Sequence, residues 1–247
     1  MHEASQTRLL RRIALVPLLM FSRWIVFTNS FEQSFCKSLF PAISKKSSVI
    51  PIGSSILPPD GAIVADWHDR KYIVFFGLIR PNKGLEEFLR FARLLRQHNG
   101  SAAIILIGKT TGKWKAYCSR IIHQARSVGI ECMFGLDEGD VSALLRKSAL
   151  GYLPFPDGLT ERRSSVLALF AHGVAVISNT TDITPHTIRE AVANAGSPEE
   201  AANIACHFLD HPQALRAMQE KSLSVAYEYS WKRIGRSYID LYTSLVP

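Results

Sequence analysis

Apolar residues along this chain follow two patterns that alternate. Short apolar blocks rich in Val, Ile, Phe and Ala are typical of buried parallel strands. They fall at residues 24–28, 48–51, 72–76, 102–107, 131–134, 149–153 and 174–178. Between the blocks, apolar residues recur every three or four positions, which predicts helices. These helices cover residues 7–21, 31–40, 85–98, 113–128, 137–147, 162–171, 198–209, 212–227 and 230–245.

Strands that alternate with helices predict a fold made of βαβ units. We therefore expect an α/β fold, a Rossmann-like parallel sheet with helices on both faces, and ligands at the carboxyl ends of its strands. Residues 46–230 are predicted to form one lobe. Residues 1–45 hold one strand and two helices, too little for a domain, and are expected to be the end of a larger lobe. Residues 231–247 are expected to form a helix that crosses back to that first segment.

The first 27 residues allow two interpretations. Basic residues before the apolar run "IALVPLLMF" have the outline of a signal peptide, but Ser22-Arg23-Trp24 stands where small residues would precede cleavage. The run is also too short to span a bilayer. We favour an amphipathic helix that leads into a strand. Because this helix is basic and apolar, peripheral contact with a membrane surface is an alternative, which predicts liposome binding that is lost when residues 8–23 are removed.

Charge narrows the expected partners to anions. The chain has 247 residues, with 29 Lys and Arg against 21 Asp and Glu, a net charge of +8. Phosphates, nucleic acid and acidic membranes all fit this balance. The basic residues are scattered and no nucleic-acid-binding signature occurs, so we do not expect a nucleic acid partner. The cysteines form no CxxC pair, which favours reduced thiols and a cytoplasmic protein.

A first candidate site lies in "YIVFFGLIRPNKG", which starts at Tyr72. Gly77 follows the strand and lets backbone approach a ligand, while Arg80 and Lys83 supply positive charge before the next helix. The loop either binds a phosphate or is a solvated basic turn, and its spacing alone does not decide between them. It is not a P-loop, because GxxxxGK[ST] does not occur in the chain.

A second candidate site lies in "LPFPDGLTERRSS". Ser164 and Ser165 fall in the first turn of a predicted helix, where backbone N–H groups have no partner within the helix. Thr160 is expected to cap this helix. The alternative is an ordinary capped helix with Arg162 and Arg163 in solvent. We favour an anion site, because two arginines lie beside the unpaired N–H groups at the carboxyl end of a strand.

The chain resembles a known family through several motifs taken in order. They are "FTNS", "VIPIG", "FFGLIRPNKGLEEFL", "IILIGK", "LPFPDGLTERRSSVLALFAHGVAVIS" and "SWKRIGRSYIDLY". Together they resemble the carboxyl-terminal half of GT-B glycosyltransferases, above all the large retaining family 4, or group 1, that includes sucrose synthases and mannosyltransferases. The resemblance covers essentially the whole chain, and none of the motifs suffices alone.

The resemblance implies a donor-binding lobe. In the family, this lobe binds a nucleotide-diphosphate sugar and the other lobe binds the acceptor. The catalytic basic pair would be Arg80 and Lys83, which stabilise the charge that builds on the departing diphosphate. No DxD motif occurs, so neither a metal nor another cofactor is expected. The expected donor-binding residues are Gly77, Asp157, Gly158, Thr160, Glu161, Arg162, Arg163, Ser164 and Ser165.

Two departures from the family pattern weaken this expectation. The family has two glutamates separated by seven residues, and counting back from Gly173 puts them at Ala168 and Thr160. If Glu161 is the first, Leu169 is the second, so the carboxylate expected to hold the ribose is missing in either register. "DGLTERR" resembles a variant motif instead. The second departure is that the acceptor lobe is not encoded in these residues.

The sequence therefore leaves two functions open. The leading hypothesis is a retaining, metal-independent glycosyltransferase donor lobe acting toward a saccharide or lipid-linked acceptor. The alternative is a non-catalytic lobe that serves as a binding module or as the partner subunit of a two-chain glycosyltransferase.

Overall fold

A computed structural model describes residues 9–59, 69–98, 100 and 102–246. The chain divides into two units. One comprises Met1–Gly53 together with Tyr229–Pro247, and the other comprises Ser54–Glu228.

The first unit holds a two-stranded parallel sheet and its helices. Its elements are α1 (Leu9–Phe21), β1 (Ile25–Phe27), α2 (Ser30–Leu39), a 3₁₀ helix (Pro41–Lys46), β2 (Ser47–Val49) and α10 (Trp231–Leu245). Its core contains Leu19, Phe27 and Ile43, and Asn29 caps α2 by accepting from the N–H of Glu32 at 2.8 Å. The predicted helix followed by a strand is confirmed.

The second unit is built on one sheet of six parallel strands. Its strands are β3 (Tyr72–Ile79), β4 (Ala103–Thr110), β5 (Glu131–Phe134), β6 (Ser148–Leu153), β7 (Ala175–Ser178) and β8 (Val192–Asn194). They are hydrogen-bonded in the order β5-β4-β3-β6-β7-β8. Renumbered within the sheet, this is the order 3-2-1-4-5-6 of doubly wound folds. The predicted Rossmann-like parallel sheet is confirmed.

The helices of this unit lie between successive strands, and the last two follow β8. They are α3 (Leu85–His98), α4 (Lys115–Ser127), α5 (Glu138–Arg146), α6 (Ser164–Ala171), α7 (His186–Glu190), α8 (Pro198–Asp210) and α9 (Pro212–Glu228), with a 3₁₀ turn at Gly112–Trp114. The core is aromatic where α3 meets the sheet. Phe88 lies between Phe75 and Phe91, with ring centroids 5.2 and 6.0 Å away, and Phe91 contacts Tyr152 at 4.7 Å. The apolar residues whose spacing predicted α3 form the face that this helix buries.

Several elements differ from the prediction in their bounds or were not predicted. Strand β3 runs three residues beyond Phe76, because its backbone stays paired with β4 as far as Ile79. The short elements α7 and β8 were not predicted, since β8 has only three residues and no alternating pattern. Helix α6 begins at Ser164, two residues later than expected.

Arg70 joins three strands at the amino edge of the sheet. Its buried guanidinium donates to the carbonyl oxygens of Gly173 at 2.6 Å, His172 at 2.8 Å and Ser148 at 3.2 Å. Burial, and secondarily the charge of Arg146, lowers the pKa of Arg70 to about 10. The residue leads into β3 and bonds the segments that begin β6 and β7, so it fixes the spacing of these strands.

Within the residues that the structure describes, none of the helices combines the length and the apolar content that crossing a bilayer requires.

Candidate functional site

The strand order places the candidate site between β3 and β6. These neighbours lie in the middle of the sheet, and their chains continue to opposite sides, β3 toward β4 and β6 toward β7. In doubly wound sheets, ligands bind at such a reversal, outside the carboxyl ends of the strands. The two loops that leave this edge are residues 80–84 after β3 and residues 154–163 after β6, the two segments singled out in the sequence.

The two loops contact each other through Gly84. A Cβ atom placed on Gly84 would lie 1.7 Å from the carbonyl oxygen of Pro154, so the backbones are in direct contact. Gly84 has φ +74° and Asn82 has φ +60°, both in the left-handed region that Gly and Asn tolerate best. The loop after β3 is therefore a tight bend held against the loop after β6.

The bend carries two cationic residues. Arg80 and Lys83 are both half-buried. The guanidinium of Arg80 makes no hydrogen bond or ion pair within the part of the chain that the structure describes. Its five donors are thus available to an incoming anion.

Gly77 does not occupy the place expected of it. It lies inside β3, opposite Gly108 of β4, and a side chain there would meet only the ring of Phe75 at 3.5 Å. The close approach is at Gly108, where an added Cβ would lie 2.5 Å from the carbonyl oxygen of Gly77. The prediction that the strand ends before Gly77 is wrong, because the strand-to-strand hydrogen bonds continue past it.

The amino end of α6 has an unpaired donor. The N-cap is Arg163 and makes no capping bond through its side chain, so the prediction that Thr160 caps this helix is wrong. The N–H of Ser164 bonds the carbonyl of Arg162 at 3.1 Å, whereas that of Ser165 has no partner among the described residues. No acidic residue lies in this first turn, unlike the first turn of α3, which holds Glu86 and Glu87. The positive end of the α6 dipole is therefore less compensated by acidic side chains than the positive end of α3.

Thr160 adds a second unpaired group beside this turn. The residue is buried, and its Oγ1 has no hydrogen-bond partner. Buried hydroxyls are usually paired, so this exception, at a loop that leaves the sheet edge, makes Thr160 a candidate hydrogen-bond donor to a ligand. Its neighbour Glu161 is also buried, while Arg162 is half-buried.

Arg163 is engaged within its own loop. Its guanidinium pairs with the carboxylate of Asp157, which is far more exposed, and donates to the carbonyl of Gly158 at 3.4 Å. It also lies over the ring of Phe155, 4.5 Å from the centroid. The predicted residues Asp157, Gly158 and Arg163 therefore come together, but Asp157 and Arg163 neutralise each other.

The loop after β7 holds the loop after β6, and the sequence analysis missed this. The side-chain amide of Asn179 accepts from the N–H of Phe155 at 2.7 Å and donates to its carbonyl at 2.5 Å. The hydroxyl of Thr184 donates to the carbonyl of Leu159 at 2.6 Å. Asn179 directly follows a buried strand, and a polar residue in that position is the signal that was available.

A glycine makes this contact tight. Gly158 has φ +82°, and a Cβ there would come within 2.6 Å of the side chain of Thr181. The turn therefore requires glycine both for its backbone conformation and for the space that Thr181 occupies.

His172 is a packed histidine at the other end of α6. Its Nδ1 bonds the carbonyl of Ala168 at 2.7 Å, and its Nε2 lies 2.8 Å from the hydroxyl of Ser142. Burial lowers the pKa of His172, the Ala168 bond opposes this, and the charges of Arg70 and Arg146 add to it. With Nδ1 donating to a carbonyl, Nε2 of neutral His172 accepts a hydrogen bond from the Ser142 hydroxyl. The ring has a structural role away from the candidate site.

Metal-ligand clusters are also absent from the described part of the chain. Among the described residues, no group of three or more His, Cys, Asp or Glu side chains is close enough together to hold a metal ion.

Sequence relatives of the chain are glycosyltransferases. No protein-family model matches it. It is 24% identical over 216 residues to the uncharacterized glycosyltransferase YqgM of Bacillus subtilis (strain 168), covering 83% of this chain and 58% of that protein. It is 26% identical over 183 residues to a GDP-mannose:cellobiosyl-diphosphopolyprenol alpha-mannosyltransferase of Komagataeibacter xylinus, covering 70% and 45%. The chain thus spans about half the length of these curated relatives.

Solved structures with the same fold include a glycosyltransferase and a protein that was solved with UDP and glucose. Anabaena Alr3699/HepE in complex with UDP and glucose matches with a TM-score of 0.67 and 15% identity, covering 94% of this chain and 66% of that one. A Rickettsia africae glycosyltransferase gives 0.71 and 12%, covering 97% and 68%. A chain of the GtfA/B complex gives 0.65 and 12%, covering 94% and 48%. The fold that the sequence resemblance implied is confirmed.

Proposed function

We infer, because this chain has the GT-B fold of group 1 glycosyltransferases, that its six-stranded unit binds the diphosphate of a nucleotide-sugar donor. The chain would serve a glycosyltransferase that acts on a saccharide or lipid-linked acceptor. One observation carries this proposal: Gly84 presses against Pro154, which joins the cationic bend of Arg80 and Lys83 to the loop that leads into α6. Each loop alone would be a weak anion site, and their contact would combine the two loops into a single binding site.

The chemistry that such a site supports is loss of the diphosphate as a leaving group. When the bond between the sugar and the diphosphate breaks, negative charge grows on the departing oxygen. Fixed donors that are in place beforehand stabilise this charge more than they stabilise the ground state. Arg80 would supply a forked donor and Lys83 a point charge, with the N–H of Ser165 and the hydroxyl of Thr160 as further donors.

The remaining mechanistic features follow the family resemblance. We expect transfer with retention and without a metal ion, since Arg80 and Lys83 would supply the positive charge. The place expected for the ribose carboxylate holds Ala168 or Leu169, which are buried apolar residues of α6. Recognition of the nucleoside would therefore depend on other residues than in relatives that keep both glutamates.

The neighbours' ligands agree with this proposal. Alr3699/HepE was solved with UDP and glucose, and the Komagataeibacter protein is named for a GDP-mannose donor and a diphosphopolyprenol-linked acceptor. Both names combine a nucleoside diphosphate with a sugar, which are the groups that the site would hold.

A second candidate is a donor-binding subunit that works with another chain. It is favoured by the likeness to a chain of the GtfA/B complex. In this version, a partner chain supplies the acceptor site, and the described site holds the donor in the same way.

Contact with a membrane surface is the third proposal. Helix α1 exposes Leu18, Met20 and Phe21, the last with 84% of its surface accessible. These residues lie within the segment 8–23 whose removal is expected to abolish liposome binding. For the location, we propose the cytoplasm, peripheral at the inner face of the membrane.

Isothermal titration of the wild-type protein with UDP, GDP, UDP-sugars and GDP-sugars tests the proposed function. We expect one nucleoside diphosphate and its sugars to bind, and the matching nucleoside monophosphate to bind at least about tenfold more weakly. A folded wild-type protein that binds none of these ligands would contradict donor binding in both the single-chain and the two-chain version.

A further inference from the structure

Asn179 connects the end of β7 to the loop that precedes α6. It is the first residue after the strand, and its planar amide makes two hydrogen bonds with the backbone of Phe155. Its own carbonyl accepts from the N–H of Leu159 at 3.0 Å. One residue thus bonds the start and the end of the segment 155–159. Only an amide side chain offers a donor and an acceptor side by side in this way.

The segment that Asn179 holds sets the position of Arg163. Phe155 is buried, and its ring carries the Arg163 guanidinium 4.5 Å from the centroid. Arg163 is the N-cap of α6, and its carbonyl accepts from the N–H groups of Val166 at 2.9 Å and Leu167 at 3.2 Å. A shift of Phe155 would therefore be passed to the first turn of α6.

Neighbouring side chains hold the loop just before it starts and where its turn closes. The backbone of Phe155, between these points, is held by the side chain of Asn179. Ser178 donates to the carbonyl of Leu153 at 2.6 Å before the loop starts, and Thr184 bonds Leu159 where the turn closes. Between these points, Asn179 makes both side-chain hydrogen bonds that the structure gives to the Phe155 backbone.

We propose that Asn179 is a positioning residue for the nucleotide-sugar site. Acting through Phe155 and Arg163, it holds the first turn of α6 so that the N–H of Ser165 and the hydroxyl of Thr160 face the diphosphate. This role rests on the proposed function for its ligand. The hydrogen bonds by which Asn179 holds the loop do not depend on the proposed function.

A matched pair of substitutions separates this role from general stability. Asn194 lies at the end of the neighbouring strand β8, and its Oδ1 accepts from the N–H and hydroxyl of Thr180 at 2.8 and 3.0 Å. Asn194→Asp keeps that acceptor. Asn179→Asp removes the donor to Phe155 and puts a carboxylate oxygen against its carbonyl. Asn179→Ala, which adds no charge, is the second variant.

The experiment measures nucleoside diphosphate affinity by titration with UDP and GDP, together with amide hydrogen exchange of residues 155–165, well below each variant's unfolding temperature. For Asn179→Ala, we expect about tenfold weaker binding and faster exchange at Phe155, because its N–H loses the side-chain acceptor. For Asn179→Asp, we expect a similar loss of affinity and faster exchange across residues 155–159, because the carboxylate repels the Phe155 carbonyl. Asn194→Asp should stay within about twofold of wild type in affinity.

Each outcome bears on a different claim. Equal affinities for the Asn179 and Asn194 variants, in a protein that binds nucleotide, would overturn the positioning role. Unchanged exchange in both Asn179 variants would do so even if no nucleotide bound. Failure of the wild type to bind any nucleoside diphosphate would overturn the proposed function and the donor-site role with it, while exchange would still report whether Asn179 holds the loop.

Discussion

Gly84 and Pro154 are in backbone contact, since a Cβ atom on Gly84 would lie 1.7 Å from the carbonyl oxygen of Pro154. The contact joins the loops that leave two neighbouring strands of the sheet. A glycine is needed there for two separate reasons, its left-handed φ of +74° and the absence of room for a side chain. The cationic bend and the loop that leads into α6 are therefore coupled through one position.

Gly84→Ala should destabilise the protein by about 3 kcal/mol or more, because strain and a clash with backbone are added together. Urea unfolding gives the measurement. Gly135→Ala is the matched control, since Gly135 has φ +71° but no atom within 4 Å of an added Cβ. That change should cost only the conformational part, about 1–2 kcal/mol. Equal losses of stability in the two variants would mean that the contact with Pro154 adds nothing to the cost of a side chain at Gly84.

Arg70→Met should destabilise the protein by about 3 kcal/mol, because three buried carbonyls lose a charged donor. Arg70→Lys should recover only part of the loss, since an ammonium cannot reproduce the planar fork. Thermal and urea unfolding report both changes. The control is Arg216→Met, which removes an exposed pair with Glu220 on α9 and should change stability by less than about 0.5 kcal/mol. A similar small effect at Arg70 would refute its role at the sheet edge.

His172 should make the protein less stable in acid. Burial holds the pKa of His172 in the folded protein below its ordinary value of 6.5, while the unfolded chain titrates near that value. The unfolded state therefore binds more protons, so this contribution to stability is complete above about pH 6.5 and is lost as the pH falls. Urea unfolding of wild type and His172→Gln between pH 8 and 5 measures the difference. Parallel pH profiles for the two proteins would contradict the assignment.

Much of the sheet could be predicted from the sequence because its strands carry their own signal. The run from Tyr72 is apolar and β-branched, and the helix after it has apolar residues at helical spacing, so both elements were found. The end of β3 was missed because Gly77 resembles a loop residue, although pairing with Gly108 keeps it in the strand. Strand β8 was missed because it depends on the edge that β7 offers.

The candidate site could be predicted only in part, because its geometry depends on tertiary contacts. Arg80 and Lys83 stood out by their position after a strand. Thr160 has the residue type of a helix cap, yet the loop bonds to Asn179 and Thr184 place the start of α6 at Ser164. The pairing of Asp157 with Arg163 also follows from that folded loop. Sequence spacing carries no information about such contacts.

The central claim is that the joined loops hold a diphosphate, and the most direct test compares nucleoside diphosphate with monophosphate binding in loop variants. Titration calorimetry would measure UDP and UMP, or GDP and GMP, on wild type, Arg80→Ala, Lys83→Ala and the control Lys221→Ala, which removes an exposed cation on α9. We predict that the two loop variants lose at least about tenfold in diphosphate affinity, with a smaller loss for the monophosphate and no change for Lys221→Ala. Equal losses for both nucleotides, or diphosphate affinity that is unchanged without Arg80 and Lys83, would contradict the account.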